Sequence, residues 1–374
     1  MPQDHYYPLT QAYVTMSKIA AIKPFGQSIW LDNLSRGLIA SGELAKILKE
    51  DAIAGVTSNP AIFYKSISSD PLYTGDLAEL KKQDLTAEQR YEALVVPDIQ
   101  ATCDLTRSIY DQTKGVDGYV SLEVSPTLAN DAQGTIDNAK RLWAEINRPN
   151  VMIKVPATPA GVIAFEELIT SGINVNVTLM FNLTHVDNIL TAYIRGLEAR
   201  AAAGLPVDHV HAVASVFLSR VDSLIDPQLE AIGTPEALAL RGKVALSFVK
   251  VSYQHYKKLF HGNRFAALKA LGAHPQRLLW ASTGTKNKAY SDVMYVEQLI
   301  GPETVNTVPD ATLALFRDHG QAANTLDTDI DAAIANLVAV RQLGINYNLA
   351  GEQLQQEGLK QFDEAFVKLL ELTK

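Results

Sequence analysis

A closed (β/α)8 barrel, an α/β fold, is what the sequence predicts, and three observations predict it. Eight short β-former runs alternate along the chain with longer helix-prone segments, the order of a parallel sheet wound by helices. Within most runs the polar residues fall on one parity, as they would if one face of each strand turned into a barrel lined by a site. No Gly-x-Gly-x-x-Gly follows any run, which removes the main signature of the open, doubly wound alternative.

Taken in order, residues 1–27 read as a helical lead-in. The first strand is Ser28 to Asp32, followed by a helical segment from Leu34 to Glu50. The second, Ile53 to Thr57, runs into Ser58-Asn59-Pro60, where the proline suits the first position of a helix and Asn59 or Ser58 its cap. A polar, helix-prone insertion then covers residues 64–114, broken at Pro97-Asp98. The third strand, Gly118 to Val124, precedes a helix from Asp131 to Asn147. The fourth, Val151 to Val155, precedes a helix from Ala160 to Ser171 that Gly172 closes. Asn174 to Phe181 is the fifth strand, with a helix from Leu183 to Ala203 after it. His211 to Phe217 is the sixth, and a second helical insertion spans residues 221–271. Arg277 to Thr283 and Thr304 to Val308 complete the series. C-terminal helices occupy 320–374, where Leu359, Phe362, Phe366 and Leu369 share a face suited to docking on the barrel. No linker or repeat divides the chain, so 1–374 reads as one barrel domain with extra helices at both termini and in two insertions.

Composition narrows the class. Hydrophobic residues make up 47% and charged ones 20%, the balance of a soluble globular protein, and no apolar stretch approaches a membrane span. The N-terminus lacks the basic start and apolar centre of a signal peptide, and the single Cys103 can form no internal disulfide, so a cytoplasmic chain is expected. A net charge of −8 argues against a nucleic-acid surface while leaving room for one phosphorylated small molecule in a local pocket of donors. The histidines are scattered without a metal-ligand pattern, and neither a Gly-x-Ser-x-Gly elbow nor a Walker loop occurs.

The residue that needs a reason is Lys154, in the middle of Val-Met-Ile-Lys-Val-Pro. A parallel strand is covered on both faces, so an ammonium there loses water, and desolvation favours the neutral amine that attacks carbonyls. The structural alternative is a strand-end lysine that snorkels its head to solvent. Parity groups Lys154 with Met152, Ser121 with Glu123, and Asn174 with Asn176 and Thr178. It likewise groups Trp30 with Asp32, Thr57 with Asn59, and Trp280 with Ser282. If the apolar parity packs on the helices, Asp32, Asn59, Glu123, Lys154, Asn176, Thr178 and Ser282 share the carboxyl mouth, where barrel enzymes place their chemistry. Glu123 is the natural partner of Lys154, although a purely structural ion pair is the competing account. His211 shares a parity with Ser215 and Phe217 and is read as structural.

Two stretches then carry a resemblance. Gly55-Val56-Thr57-Ser58-Asn59-Pro60-Ala61-Ile62-Phe63 and Ile153-Lys154-Val155-Pro156-Ala157-Thr158, the latter followed by Gly172 to Phe181, closely resemble the two signatures of transaldolases, and the likeness runs from Ile29 to Asp310. It implies a Schiff-base TIM barrel of the longer bacterial form, moving a dihydroxyacetone unit between sugar phosphates in the non-oxidative pentose phosphate pathway, with no metal or organic cofactor. The resemblance makes Lys154 the Schiff-base lysine and Asp32 the acid/base at the donor's C4 hydroxyl. Glu123 with Thr178 would work through a bound water. Asn59 and Asn176 would hold the three-carbon unit, with Phe217 at the sixth strand. Ser215 matches the family's sixth-strand site, and Arg220 and Ser282 its phosphate site. Many transaldolases have an arginine two positions after that serine; here Gly284 stands there and Lys286 is the nearest cation.

The nearest rival implied by the resemblance is a fructose 6-phosphate aldolase that frees dihydroxyacetone. Such enzymes tend to carry Gln where Glu123 stands and Tyr where Phe217 stands, so both positions favour the transferase. A non-catalytic sugar-phosphate-binding barrel is the rival of another class, and it expects a missing lysine or acid. The sequence leaves open the preferred donor and acceptor and the choice between homodimer and monomer.

Overall fold

Parallel pairing runs without interruption around the sheet of this computed structural model, which describes residues 17–374. β1 (Gln27–Leu31) is followed around the barrel by β2 (Gly55–Val56), β3 (Tyr119–Glu123), β4 (Val151–Pro156), β5 (Val175–Met180), β6 (Ala212–Phe217), β7 (Arg277–Ala281) and β8 (Thr304–Val308). The circle closes where β8 returns to β1, with Gln27 opposite Thr304 and Leu31 opposite Val308. Every residue of β3, β4, β5, β6 and β8 is buried, as strands covered on both faces must be. The lead-in expected over residues 1–27 lies outside the described residues up to position 16; beyond it, Ala20–Phe25 forms a 3₁₀ turn.

The helices follow the sequence reading with local corrections. The segment 34–50 is two helices, α1 (Arg36–Ala40) and α2 (Glu43–Glu50), because Gly42 takes a left-handed φ of 77° between them. α3 (Pro60–Ser69) starts as expected, with Pro60 in its first turn and the Asn59 side chain accepting from the Ile62 amide. The first insertion breaks at Asp70-Pro71 rather than at Pro97. α4 (Thr74–Leu80) follows that turn, and α5 (Ala87–Gln112) runs through Pro97. A mid-helix proline deprives the carbonyl four residues back of its donor; here Ala93 and Pro97 are both exposed, on a side of the helix that solvent can reach.

α6 (Ala132–Ile146), α7 (Pro159–Thr170) and α8 (Leu183–Ala202) are each capped by a side chain, from Asp131, Thr158 and Asn182. The second insertion holds α9 (Ser219–Ile232), α10 (Pro235–Leu238), α11 (Val244–Phe260) and α12 (Asn263–Ala270). α13 (Met294–Glu297) precedes β8, and α14 (Asp310–His319), α15 (Ile330–Gln342) and α16 (Tyr347–Thr373) follow it. Among the described residues no helix is long and apolar enough to cross a membrane.

α16 lies on the carboxyl mouth. Gln355 donates to the Ala157 and Leu179 carbonyls at 2.9 and 3.1 Å, gripping the ends of two strands. The approach is close enough to need glycine. A Cβ at Gly351 would come within 2.7 Å of Asn182, and one at Gly358 within 2.8 Å of Leu179. Phe362, Phe366 and Leu369 are buried as expected, while Leu359 is only half-buried because its neighbour Gly358 takes the close contact.

At the amino end, Arg277 donates to Asp117 at 2.8 Å, to the Val116 carbonyl and to Ser28, and Trp30 Nε1 donates to Asp117 at 3.0 Å. The Trp30 ring fills the barrel over Gly55, where any Cβ would stand 2.6 Å from the indole. Paired residues of parallel strands share a face, so the register sorts the interior directly. Trp30, Gly55, Tyr119, Ser121, Glu123, Met152, Lys154, Asn176, Val213, Ser215 and Phe217 all turn inward. The parity assigned to the seventh strand is corrected. Leu279 pairs with Ser215 and so points in, whereas Trp280 pairs with Val216, points out, and donates its indole N–H to the Leu299 carbonyl.

Candidate active site

The carboxyl mouth holds a cavity of about 120 Å³ lined by Asp32, Thr57, Asn59, Lys154, Asn176, Thr178, Ser215, Phe217, Arg220, Ala281, Ser282, Thr307 and Phe362. Nine of the eleven residues singled out from the sequence meet there. Of the other two, Glu123 stands behind Lys154, and Lys286 lies in an adjoining cavity of about 460 Å³ shared with Arg220 and Ser282.

Lys154 is 5% exposed, which removes the snorkelling alternative. Its ammonium nitrogen donates to the Ser58 carbonyl at 3.3 Å, lies 3.5 Å from Glu123 Oε2 and sits 5.5 Å from the centre of the Phe362 ring. β4 holds the lysine and β3 the glutamate at paired register, so the backbone ladder sets their separation. Burial drives the Glu123 carboxyl up to about 7, with Lys154 pulling it only part of the way back. Glu123 Oε2 and Thr178 Oγ1 are both buried without a hydrogen-bond partner among the described residues.

Asp32 follows β1, and its carboxylate accepts from Thr57 Oγ1 at 2.7 Å; Thr57 in turn lies 2.7 Å from Thr307 Oγ1 on β8. Burial raises the Asp32 carboxyl above its ordinary value, opposed by Lys154 and by the Thr57 hydroxyl. Asn59 uses its Oδ1 to cap α3 while lining the pocket, so capping and site placement coexist in one side chain. Asn176 makes the floor: it donates to Ser121 Oγ at 3.0 Å and accepts from Ser215 Oγ at 2.7 Å.

On the far side, the Arg220 guanidinium lies 5.4 Å from the centre of the Phe217 ring, with one terminal nitrogen buried and unpartnered among the described residues. Burial pulls its pKa below the usual guanidinium value, and Glu357 on α16 opposes the shift. Ser282 reaches the pocket by a different route from the one its parity suggested. Its backbone turns left-handed at φ 55°, and its hydroxyl lies 2.8 Å from that of Ser219, in the first turn of α9.

Thr57, Ala281, Thr307 and Phe362 complete the pocket without having been singled out as site residues. Parity in Thr-Val-Asn-Thr-Val would have found Thr307, which pairs with Trp30. Phe362 gives no local signal, since α16 brings it back from far along the chain. His211 does turn inward, but at the opposite end of the barrel. There it stacks on His274 at 4.6 Å and is held neutral by burial, its pKa lowered to about 3. Those two rings line a separate cavity of about 410 Å³ with Arg277 and Tyr119, remote from Lys154. Among the described residues no group of three or more His, Cys, Asp and Glu side chains is placed to hold a metal ion.

A sequence model of the family described as Transaldolase/Fructose-6-phosphate aldolase matches residues 29–373. A transaldolase of Thiobacillus denitrificans is 51% identical over 349 residues, 93% of this chain and 97% of that protein. One from Neisseria meningitidis is 51% identical over 355 residues, covering 95% of this chain and 99% of its own length. A transaldolase of Trichodesmium erythraeum is 46% identical over 360 residues, 93% and 94% of the two chains.

Proposed function

The chain belongs to the transaldolase/fructose-6-phosphate aldolase family, and we propose that it works as a transaldolase through a Schiff base on Lys154. The observation that carries this reading is the buried Lys154 beside Glu123, with Asp32 in the same pocket. The substrates are sugar phosphates. The donor is a ketose phosphate, sedoheptulose 7-phosphate or fructose 6-phosphate, and the acceptor is glyceraldehyde 3-phosphate or erythrose 4-phosphate.

The Lys154 amine adds to the donor's C2 carbonyl, and the carbinolamine loses water to give an iminium. Glu123 and Thr178 serve that dehydration through a water, for which both have hydrogen-bonding capacity to spare. Asp32 takes the proton of the C4 hydroxyl, the C3–C4 bond breaks, and its electron pair passes into the iminium to form an enamine while an aldose phosphate departs. Asn59 and Asn176 hold the three-carbon unit. The enamine then attacks the acceptor aldehyde, Asp32 returns the proton, and hydrolysis frees Lys154 and a new ketose phosphate. Arg220, Ser282 and Lys286, which line one cavity beside the start of α9, receive the phosphate. Ser215 fixes Asn176. Phe217, packed on Phe181 at 5.2 Å, and Glu123 favour transfer over release. The chain acts as one barrel domain in the cytoplasm, on small molecules alone, with neither nucleic acid nor membrane as partner.

Borohydride trapping with fructose 6-phosphate tests this, read by intact mass and peptide mapping. A reduced three-carbon adduct on Lys154 is expected, together with a new ketose phosphate once an aldose phosphate is added. Lys154→Met abolishes both while keeping the fold. Absence of any adduct overturns the Schiff-base reading, and an adduct that yields free dihydroxyacetone without transfer makes the chain an aldolase.

A further inference from the structure

Lys286 stands among carboxylates and pairs with none of them. It lines a cavity of about 250 Å³ with Asp222, Asp226 and Glu230, and it also lines the larger cavity it shares with Arg220 and Ser282. An exposed lysine so placed would ordinarily close on the nearest carboxylate. Each of the three is already engaged. Asp222 accepts from the Ala245 amide at 2.9 Å and the Tyr295 hydroxyl at 2.6 Å. Asp226 accepts from the Gly242 amide at 3.0 Å and the Tyr290 hydroxyl at 2.6 Å, and Glu230 pairs with Arg241 at 2.7 Å. Among the described residues Lys286 makes no ion pair. Tyr290 lies four residues beyond Lys286 on the same connection between β7 and α13, so one short loop carries both the cation and the group that covers its competitor.

We propose that Tyr290 is a positioning residue for phosphate recognition: by occupying Asp226 it keeps the Lys286 ammonium available to the substrate's phosphate. Tyr290 touches no substrate. Its hydroxyl holds one Asp226 oxygen and the Gly242 amide holds the other, which fixes the buried carboxylate in an orientation that makes no direct contact with the lysine. Without that hydroxyl, the Asp226 oxygen it held loses its donor and is free to turn toward the cavity where Lys286 resides, and the ion pair then competes with phosphate. The inference rests on the transaldolase reading only in taking the substrate to carry a phosphate.

The test measures fructose 6-phosphate binding by calorimetry on a Lys154→Met background, where no covalent step intervenes. Failure of transfer in the wild-type chain therefore sinks the proposed function without deciding this question. Tyr290→Phe should weaken binding about tenfold, the loss of one charge-assisted contact. Lys286→Ala should weaken it equally, with no further loss in the double variant. Adding Asp226→Asn to Tyr290→Phe removes the competing charge and should restore affinity. In the reactive chain, Tyr290→Phe should raise KM for fructose 6-phosphate with kcat kept, and leave KM for unphosphorylated fructose unchanged. Unaltered affinity in Tyr290→Phe, equal losses for both sugars, or no recovery with Asp226→Asn each overturns the proposal; the last would mean that the hydroxyl only holds the loop in place.

Discussion

Glu123 Oε2 lies 3.5 Å from Lys154 Nζ across neighbouring strands, with the two residues at paired register and both side chains buried. Placing a carboxylate and an amine in the dry interior of a barrel is costly, and a mutual 3.5 Å contact recovers only part of that cost. The arrangement gives up stability and leaves a carboxyl raised to about 7 beside a buried amine.

A measurable pH signature follows. The Glu123 carboxyl ordinarily titrates near 4.5 and is raised to about 7 in the fold. The folded chain therefore holds this proton more tightly than the unfolded chain does. Its stabilising contribution is complete below about 4.5 and is lost as pH rises through about 7. The melting temperature of Glu123→Gln minus that of the wild type should become more positive from pH 5 to pH 8. A flat difference would remove the raised carboxyl from the account. The same variant should release more dihydroxyacetone relative to transfer.

Asp32→Asn keeps the Thr57 contact in shape but cannot take up the C4 hydroxyl proton. Borohydride should then trap a six-carbon adduct on Lys154 instead of a three-carbon one, read by mass. A three-carbon adduct forming at wild-type rate would assign the proton transfer to another group.

Phe362→Ala opens the lid over the amine. The substitution should cost about 3 kcal/mol in urea unfolding, the low end for a buried phenylalanine. It should also raise the ratio of free dihydroxyacetone to transferred product, because water gains access to the enamine. A stability loss with an unchanged ratio would leave Phe362 as packing alone.

Arg277→Met tests the other end of the barrel. Arg277 and Asp117 are almost buried, and removing one partner strands the other, so the loss should reach about 3 kcal/mol. Below its melting transition the variant should keep wild-type kcat and KM, since nothing at that end touches the Lys154 pocket. Altered kinetic constants would show that the two mouths communicate.

Most of the barrel was legible because a parallel strand buried on both faces must be short, apolar and bounded by breakers, and β8 matches its expected bounds, Thr304–Val308. Strand parity brought Asp32, Asn59, Lys154, Asn176 and Thr178 to one mouth because alternation persists while the backbone stays extended. It failed at β7, where Trp280, grouped with Ser282, points outward, and Ser282 reaches the mouth assigned to it only because its backbone turns left-handed. Pro97 misled for a different reason. A proline's effect on a helix depends on whether water can reach the carbonyl it orphans, and only the fold decides which side of α5 is wet. Phe362 was legible as a core residue of a docked helix but not as a pocket wall, since the position of α16 is a tertiary fact.

The pairing of β1 with β8 also fixes when this chain becomes a protein. The two strands whose hydrogen bonds close the circle, Gln27–Leu31 and Thr304–Val308, stand at opposite ends of the barrel sequence. A growing polypeptide on the ribosome carries an open sheet with a bare edge until nearly all of it has emerged. Lys154 is translated near the midpoint, yet its aromatic cover arrives only with the last helix. The pocket around Lys154 is thus completed last, after the edge of β1 has waited for β8 and the end of β4 for α16.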